Sequence, residues 1–448
     1  MLTHIPFPPL PAPPSWFPGH MLQFQRMLPT LLNKTDVVLE LRDARLPLTS
    51  INQNFEGALQ KWKRERGTEF PTGIPPLRDA SATTPVAGPS MGAACQRIVV
   101  FSKRDLVPEW GIKPFQRAMA AKYPDQKFFF ASWNSRRDIK ALNELLVNVA
   151  REHPHRPELN VLVVGMPNVG KSTLLNALRN IGIAGPTPKA LRTSAHPGMT
   201  RVLSTRLKLC VEPLVYAYDS PGVMLPFLGK GDKGAERGVK LALIAPVFPW
   251  LLTYVEFSVR TETAGIKEGL YDTETLASYL LFRMNVLDPV SPAYLRLLPP
   301  GSPPVVYVQD FLELLAQRLC MLKRGGIPDT ARAAVWFIKW WREEGGLASA
   351  AAPALPATAS GIGLQSWRRG WGFDLEWTVD AAEFGRYDES MIQAKMEECM
   401  SRFEEAAAEE EREGGAISST QEKKRAKEEQ RARQQARTRA RLAAKKGR

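Results

Sequence analysis

One short segment constrains the fold of this 448-residue chain more than any other. Residues 159–174 read LNVLVVGMPNVGKSTL, an apolar run that leads into Gly165 and then into Gly170, Lys171 and Ser172. A P-loop has this spacing between a strand and a helix, because its glycines let backbone N–H groups curl around phosphates. Lys171 would reach the phosphate oxygens, and the Ser172 hydroxyl would bind Mg²⁺. The segment predicts a nucleoside triphosphate site that contains Asn168, Val169, Gly170, Lys171, Ser172 and Thr173.

Two segments could select the base. Guanine is usually recognised by the carboxylate of an Asn-Lys-x-Asp motif after a buried strand, because that carboxylate can accept two hydrogen bonds. Residues Asn33–Asp36 match these letters, but the run before them has helical spacing and contains a proline. Residues Ser102–Asp105 lack the Asn but directly follow the strand-like run Arg97–Phe101. We therefore expect GTP as the nucleotide, with Asp105 reading guanine and the stem of Lys103 covering the base.

A third motif lies downstream of the P-loop. The apolar run Leu214–Tyr218 ends in the letters DSPG, from Asp219 to Gly222, which is typical of a nucleotide-sensing switch. Asp219 would hold Mg²⁺ through its shell, and the Gly222 N–H would sense the γ-phosphate. Thr200 lies between the two motifs in a polar stretch without regular period, as expected of a mobile first switch. The predicted metal site consists of Ser172, Thr200 and Asp219.

The order of these motifs along the chain is unusual. Ordinary small GTPases place the P-loop first, whereas here the base motif and a predicted base-contacting turn at residues 130–132 precede it. In this order the chain resembles the circularly permuted GTPases of the YlqF/RbgA family, most of all their mitochondrial ribosome-assembly branch. Residues Trp16–Met21 and Asp36–Ser50 also look like blocks of that family, and the likeness covers residues 16–245 and 265–347. In their order along the chain, the predicted site residues are Asp105, Ser132, Lys171, Thr200 and Asp219.

The resemblance implies a function and partners. It implies a GTP-hydrolysing assembly factor, with Mg²⁺ as cofactor and with Lys171 and Thr200 as catalytic residues. Such a factor binds the large mitochondrial ribosomal subunit and its rRNA in the GTP state, leaves after hydrolysis, and associates peripherally with the matrix face of the inner membrane. We also expect a monomer that binds no DNA. A GTP-gated RNA-binding scaffold with negligible turnover and a cytosolic ribosome-assembly GTPase are the alternatives.

The catalytic machinery departs from the common pattern at one position. Val223 follows the DSPG letters, where Ras-like enzymes carry a glutamine that orients the attacking water. In the resembled family the histidine of the N-terminal signature, here His20, is a candidate for the missing group, although it could equally pack structurally. Asn168 matches GTPases that use K⁺ as an additional positive charge.

Hydrophobic spacing and composition predict the domain organisation. We expect an α/β fold in which an N-terminal extension, residues 1–15, precedes a circularly permuted P-loop GTPase domain, residues 16–235, with a flexible insertion at 65–96. A smaller helical domain would span residues 236–400, with an insertion at 246–264 and a linker at 348–366, before a charged tail at 401–448. Apolar spacing predicts helices at 235–245, 275–285 and, on either side of residues 325–326, within 310–344. Their aromatic cluster, Trp336, Phe337, Trp340 and Trp341, is typical of core packing.

Charge and cysteine content set outer limits. The net charge is +14, and residues 421–448 carry twelve Lys or Arg against three Glu, which suits RNA phosphates without sequence preference but would also suit a solvated surface segment. The four cysteines form no C-x-x-C pair and indicate neither a disulfide framework nor a zinc site. The apolar stretch at 246–264 contains prolines and is short for a membrane span. A retained intron is our leading explanation for it, and a surface-docking loop is the second.

The N-terminal sequence does not support the expected localisation. Residues 1–15 are rich in proline and contain no arginine, unlike an amphipathic import presequence. The mitochondrial prediction therefore rests on the resemblance alone.

Overall fold

The computed structural model describes residues 2, 4–12, 19–67, 95–185, 187–191, 203–204, 206–223, 228–229, 231–244, 272–355, 366–383 and 387–412. Several predicted features lie outside these residues: Thr200, the insertion at 246–264, the basic tail at 421–448 and the side chain of His20.

A six-stranded sheet forms the centre of the molecule and confirms the predicted α/β class. Its strand order is β3-β2-β1-β4-β6-β5. The strands are β1 (Val37–Asp43), β2 (Gln96–Ser102), β3 (Lys127–Phe130), β4 (Leu159–Gly165), β5 (Leu207–Cys210) and β6 (Val215–Asp219). All neighbours pair in parallel except β5, which runs antiparallel to β6. Every residue of β1 is buried, as expected of a central parallel strand that is covered on both faces.

The parallel pairing fixes where a ligand site can lie. The carboxyl ends of β1, β2, β3, β4 and β6 meet at one edge of the sheet, where open α/β sheets bind their ligands. Asp36 precedes β1 and therefore lies at the opposite edge, where it pairs with Arg156 at 2.5 Å and accepts the Asn160 N–H at 2.9 Å. The better letter match to the guanine motif is thus part of a structural ion pair away from the ligand edge.

Helices accompany the sheet and continue beyond it. The bounds of the first five are α1 (Gly19–Leu32), α2 (Gln53–Gly67), α3 (Ile112–Lys122), α4 (Arg136–Glu152) and α5 (Lys171–Gly182). The later helices are α6 (Gly231–Ile244), α7 (Thr273–Leu287), α8 (Val308–Arg318), α9 (Thr330–Trp340), α10 (Gly346–Ala350) and α11 (Glu389–Arg412). Helices α6 to α9 agree with the predicted helical segments.

The predicted aromatic core of the helical region is confirmed. Phe337, Trp340 and Trp341 are buried, and the ring of Phe337 lies 4.6 Å from that of Phe311. Trp336 is half-buried against the same core. These rings stabilise the packing of α8, α9 and the π-helical turn at residues 341–345.

Several predicted boundaries are wrong. A β-hairpin, β7 (Ser366–Trp371) and β8 (Leu375–Asp380), interrupts the region that we expected to be helical. Helix α10 extends into the predicted linker, because alanine favours helix, and α11 crosses the expected boundary at residue 400. The predicted insertion at 65–96 overlaps α2 and β2 at its two ends.

The hairpin and α11 share a core with the GTPase domain. The indole of Trp371 stacks on Phe115 of α3 at 5.1 Å and donates to the Pro108 carbonyl at 2.9 Å. Met396 and Met400 of α11 are buried in the same cluster. The C-terminal elements are therefore packed on α3 rather than separated from the sheet.

Asp374, in the turn of the hairpin, joins three parts of the chain. Its carboxylate accepts the backbone N–H groups of Leu48 and Thr49, each at 2.8 Å, and the Thr49 hydroxyl at 2.7 Å. The ammonium of Lys240 on α6 lies 3.3 Å away. One carboxylate thus connects the loop after β1, helix α6 and the hairpin.

In the part of the chain that the structure describes, no helix is long and apolar enough to cross a bilayer.

Candidate nucleotide-binding site

The P-loop has the backbone that its sequence requires. Strand β4 ends at Gly165 and α5 begins at Lys171, while Asn168 and Gly170 adopt left-handed conformations with φ of 62° and 89°. A Cβ at Gly165 would lie 2.3 Å from the Leu41 carbonyl oxygen, so glycine is needed for close contact with β1. Val169 is fully buried and anchors the loop to the core.

Lys171 presents a buried ammonium inside this loop. Its Nζ donates to the carbonyl oxygens of Gly165 at 3.2 Å and Met166 at 2.7 Å, and only 7% of the residue is exposed. Burial lowers the pKa of Lys171 to about 8, although Asp219 opposes that shift. A desolvated cation above a cradle of backbone amides fits a bound phosphate group.

Ser172 and Asp219 form the pair expected of a magnesium site. The Ser172 hydroxyl donates to Oδ2 of Asp219 at 2.5 Å, and Asp219 is 1% exposed at the carboxyl end of β6. A hydroxyl and a carboxylate are the hard oxygen donors that Mg²⁺ prefers, so the residues present fit this ion. Thr173 is exposed in the first turn of α5.

The predicted second switch, which begins with residues Asp219–Gly222, is in direct contact with the P-loop. A Cβ at Gly222 would lie 2.5 Å from the Pro167 Cα, and the Val223 N–H donates to the Gly165 carbonyl at 3.2 Å. The Val223 side chain is fully buried, so it neither reaches nor orients a water molecule. Residue 223 therefore does not replace the water-orienting glutamine of Ras-like enzymes.

The base-side residues lie at the same edge of the sheet. Lys103 follows β2 in a left-handed conformation with φ of 58°, and its ammonium donates to Asp43 Oδ2 at 2.7 Å. Asp105 is half-buried in the short turn after it. The Ser102 hydroxyl donates to the Arg42 carbonyl at 3.0 Å and is fully buried, so it faces β1 rather than the ligand edge.

The turn after β3 connects the base side to the P-loop. Ser132 is 5% exposed, and its N–H donates to Asp138 at 2.9 Å. The Trp133 indole lies against Gly170, since a Cβ there would be 2.3 Å from its Nε1. Trp133 and Asp43 were not predicted from the sequence. Asp43 could have been found, because it is a charged residue at the carboxyl end of the strand-like run Val37–Asp43.

These elements define the class of protein. A P-loop, the buried carboxylate of Asp219 and the turns after β2 and β3 meet at one sheet edge, and those two turns precede the P-loop in sequence. This arrangement is a circularly permuted P-loop GTPase domain.

Comparisons with known proteins agree with this class. A model of the 50S ribosome-binding GTPase family matches residues 160–268. The Mitochondrial GTPase 1 of Schizosaccharomyces pombe is 28% identical over 317 residues, which cover 71% of this chain and 83% of that protein. The Mitochondrial ribosome-associated GTPase 1 of Mus musculus is 28% identical over 274 residues, or 60% of this chain and 66% of that protein.

A solved structure, GNP-bound YlqF from T. maritima, is 18% identical and covers 74% of this chain and 95% of its own, with a TM-score of 0.37. Because this score is low, the fold assignment rests on the strand order and the motifs. The predicted resemblance to circularly permuted GTPases of the YlqF/RbgA type is confirmed, and the protein is a GTPase.

The contact between Gly170 and Trp133 gives the first prediction. Gly170→Ala adds a Cβ that collides with the indole and also strains a left-handed backbone. We expect the Kd for a fluorescent GDP analogue to rise at least about tenfold. Gly185→Ala is the matched control, because Gly185 has φ of 92° but nothing within 4 Å of its Cβ position. It should lower the free energy of unfolding by about 1 kcal/mol without changing the Kd. Equal Kd values for the two variants would contradict the proposed contact.

The lowered pKa of Lys171 gives the second prediction. The charged ammonium attracts phosphates, and the free protein loses that proton as the pH rises through about 8. Affinity for GDP should therefore be constant below this pH and fall about tenfold per pH unit above it. Calorimetric titrations between pH 7 and pH 9 would measure the slope. Lys171→Met should bind more weakly with a flat profile, and a slope that survives this change would assign the titration to another group.

Proposed function

We propose that this GTPase is an assembly factor for the large subunit of the mitochondrial ribosome. It binds rRNA in the GTP state and leaves after hydrolysis. The observation that carries the proposal is the permuted site itself, whose second switch leads directly toward α6 and hence toward the hairpin. The names of its relatives, a mitochondrial GTPase and a mitochondrial ribosome-associated GTPase, support the compartment and the partner.

We propose the following roles in nucleotide binding. Asp105 reads guanine, the Lys103 stem covers the base, and Ser132 lies beside it. The P-loop from Asn168 to Thr173 binds the phosphates, and the Gly222 N–H senses the γ-phosphate. Ser172, Thr200 and Asp219 would hold Mg²⁺, which would supply positive charge beside the phosphates. Lys171 and Thr200 are the catalytic residues among them.

Hydrolysis requires a group that orients water, and Val223 is unable to supply it. We propose His20 for this role, with K⁺ held near Asn168 as an additional positive charge. The buried Val223 also favours a second candidate function, a GTP-gated RNA-binding scaffold whose turnover is negligible.

The remaining assignments concern location and the tail. We propose residence in the mitochondrion, with peripheral association at the matrix face of the inner membrane, and a monomeric state. We further propose that residues 421–448 contact RNA phosphates, given their excess of twelve basic over three acidic residues.

Single-turnover hydrolysis tests the function and gives the third prediction. GTP hydrolysis by the full chain should accelerate at least about tenfold when mitochondrial large subunits are added. Cytosolic large subunits serve as the control for compartment, and no acceleration by either subunit would favour the scaffold.

His20→Ala should lose the acceleration but retain binding, and an unchanged rate would exclude the catalytic role of His20. Deletion of residues 421–448 should flatten the salt dependence of subunit binding without changing basal hydrolysis.

Base selection gives the fourth prediction. Asp105→Asn replaces a carboxylate acceptor with an amide that can donate to the C2 carbonyl of xanthine but not to the amine of guanine. The variant should therefore bind xanthosine triphosphate in preference to GTP, as measured by competition among GTP, ATP and xanthosine triphosphate. Asp36→Asn is the matched control and should retain the GTP preference. A parent that prefers ATP, or an Asp105→Asn protein with unchanged preference, would remove Asp105 from the site.

A further inference from the structure

Asp43 is a fully buried carboxylate at the ligand edge of the sheet, at the last position of β1. It accepts from Arg45 three times: from the backbone N–H and from Nε, each at 3.0 Å, and from Nη2 at 2.9 Å. The ammonium of Lys103 donates to its Oδ2 at 2.7 Å. Asp43 therefore stands between a guanidinium from its own loop and the lysine of the base motif.

The charges in this cluster depend on one another. Burial alone would raise the pKa of Asp43, but Arg45 and Lys103 together hold it well below its usual range. Burial and the nearby Arg45 lower the pKa of Lys103, whereas Asp43 raises it. Asp43 thus opposes the loss of the Lys103 proton next to a second cation, and its hydrogen bond fixes the end of that flexible side chain.

The direction of the Lys103 side chain depends mainly on its hydrogen bond to Asp43. Ser102, which stands where the usual guanine motif carries Asn, is committed to the Arg42 carbonyl on the β1 side. The backbone of Lys103 is left-handed, and its side chain is 24% exposed. The hydrogen bond to Asp43 therefore fixes the direction in which the aliphatic stem of Lys103 runs along the ligand edge.

We propose that Asp43 is a positioning residue of the guanine site and acts through Lys103. The inference rests on the proposed function, in which the Lys103 stem covers the base. Holding the stem in place before the nucleotide arrives reduces the rotamer entropy lost on binding, so removal of Asp43 weakens affinity. Base preference stays, because it depends on Asp105.

Arg45 anchors this pair to the C-terminal region. Its guanidinium lies over the Trp341 ring, 5.4 Å from the centroid, and its carbonyl accepts the Phe373 N–H at 2.7 Å. The cluster that positions Lys103 is therefore held from both sides, by β1 and by elements that follow the GTPase domain.

Asp36 provides a matched control for loss of a buried, ion-paired carboxylate. It is 1% exposed, flanks the same strand and pairs with Arg156, but it lies at the opposite edge of the sheet. Asp36→Asn and Asp43→Asn should both lower the thermal stability of the full chain. Only Asp43→Asn should change nucleotide affinity.

A double-mutant cycle tests the inference and gives the fifth prediction. The Kd for GDP should rise at least about tenfold in Asp43→Asn, with the preference for GDP over xanthosine diphosphate unchanged. In a Lys103→Met background the same substitution should have little further effect, since its route of action is gone. If Asp43→Asn does not fold, Asp43→Asn combined with Arg45→Met leaves no unpaired guanidinium and serves in its place.

The outcomes separate the inference from the proposed function. A parent protein that binds GDP no better than ADP overturns the guanine site itself. A parent that prefers GDP, with an Asp43→Asn variant of unchanged Kd, overturns only the role of Asp43. An equal loss of affinity in the Lys103→Met background would also overturn it, because Asp43 would then act by another route.

Discussion

The nucleotide site depends on the parallel pairing of β1 with β2 on one side and with β4 on the other. Strands β2 and β3 carry the residues proposed to bind the base, while β4 and β6 carry the P-loop and the carboxylate proposed to bind Mg²⁺. In a permuted chain the base half comes first in sequence, so β1 is the element that brings the two halves into register. Its seven residues are buried, and the close approach of Gly165 to the Leu41 carbonyl leaves no room for a side chain at the start of the P-loop.

This strand also carries buried charge, which is unusual for a central parallel strand. Arg42 and Arg97 both contact Glu40, with Nε distances of 2.7 and 2.9 Å, and Arg97 also binds Glu56 of α2 at 2.8 Å. Burial alone would raise the pKa of Glu40, but the two guanidinium groups lower it to about 2. A slip of one residue would turn these charges to the wrong face of the sheet and leave them unpaired. The network therefore stabilises one register of the strands more than it adds net stability.

Much of the architecture could be predicted from local signals. The P-loop, the strand before Asp219 and helices α6 to α9 have patterns that belong to single segments. The hairpin was missed although the buried residues of β8 alternate, because the helical domain was expected to continue to residue 400. The partners of Asp43 and the contact of Trp133 with Gly170 could not be predicted, since each joins segments that are distant in sequence. Long-range contacts of this kind are set by the sheet order, which no local pattern specifies.

The shared carboxylate of Asp374 has a consequence for how such a chain can change over time. Three groups of the loop after β1, two backbone amides and a hydroxyl, bond to this one side chain, while the Lys240 ammonium lies between Asp374 at 3.3 Å and Glu236 at 3.1 Å. A substitution at Asp374 leaves the three loop groups to find new partners, whereas a substitution at Lys240 or Thr49 removes only one contact. The effects of mutations at contacting residues in these segments should therefore be non-additive. Sequence changes in the hairpin and in the loop after β1 are thus coupled, even though the chain between them is long.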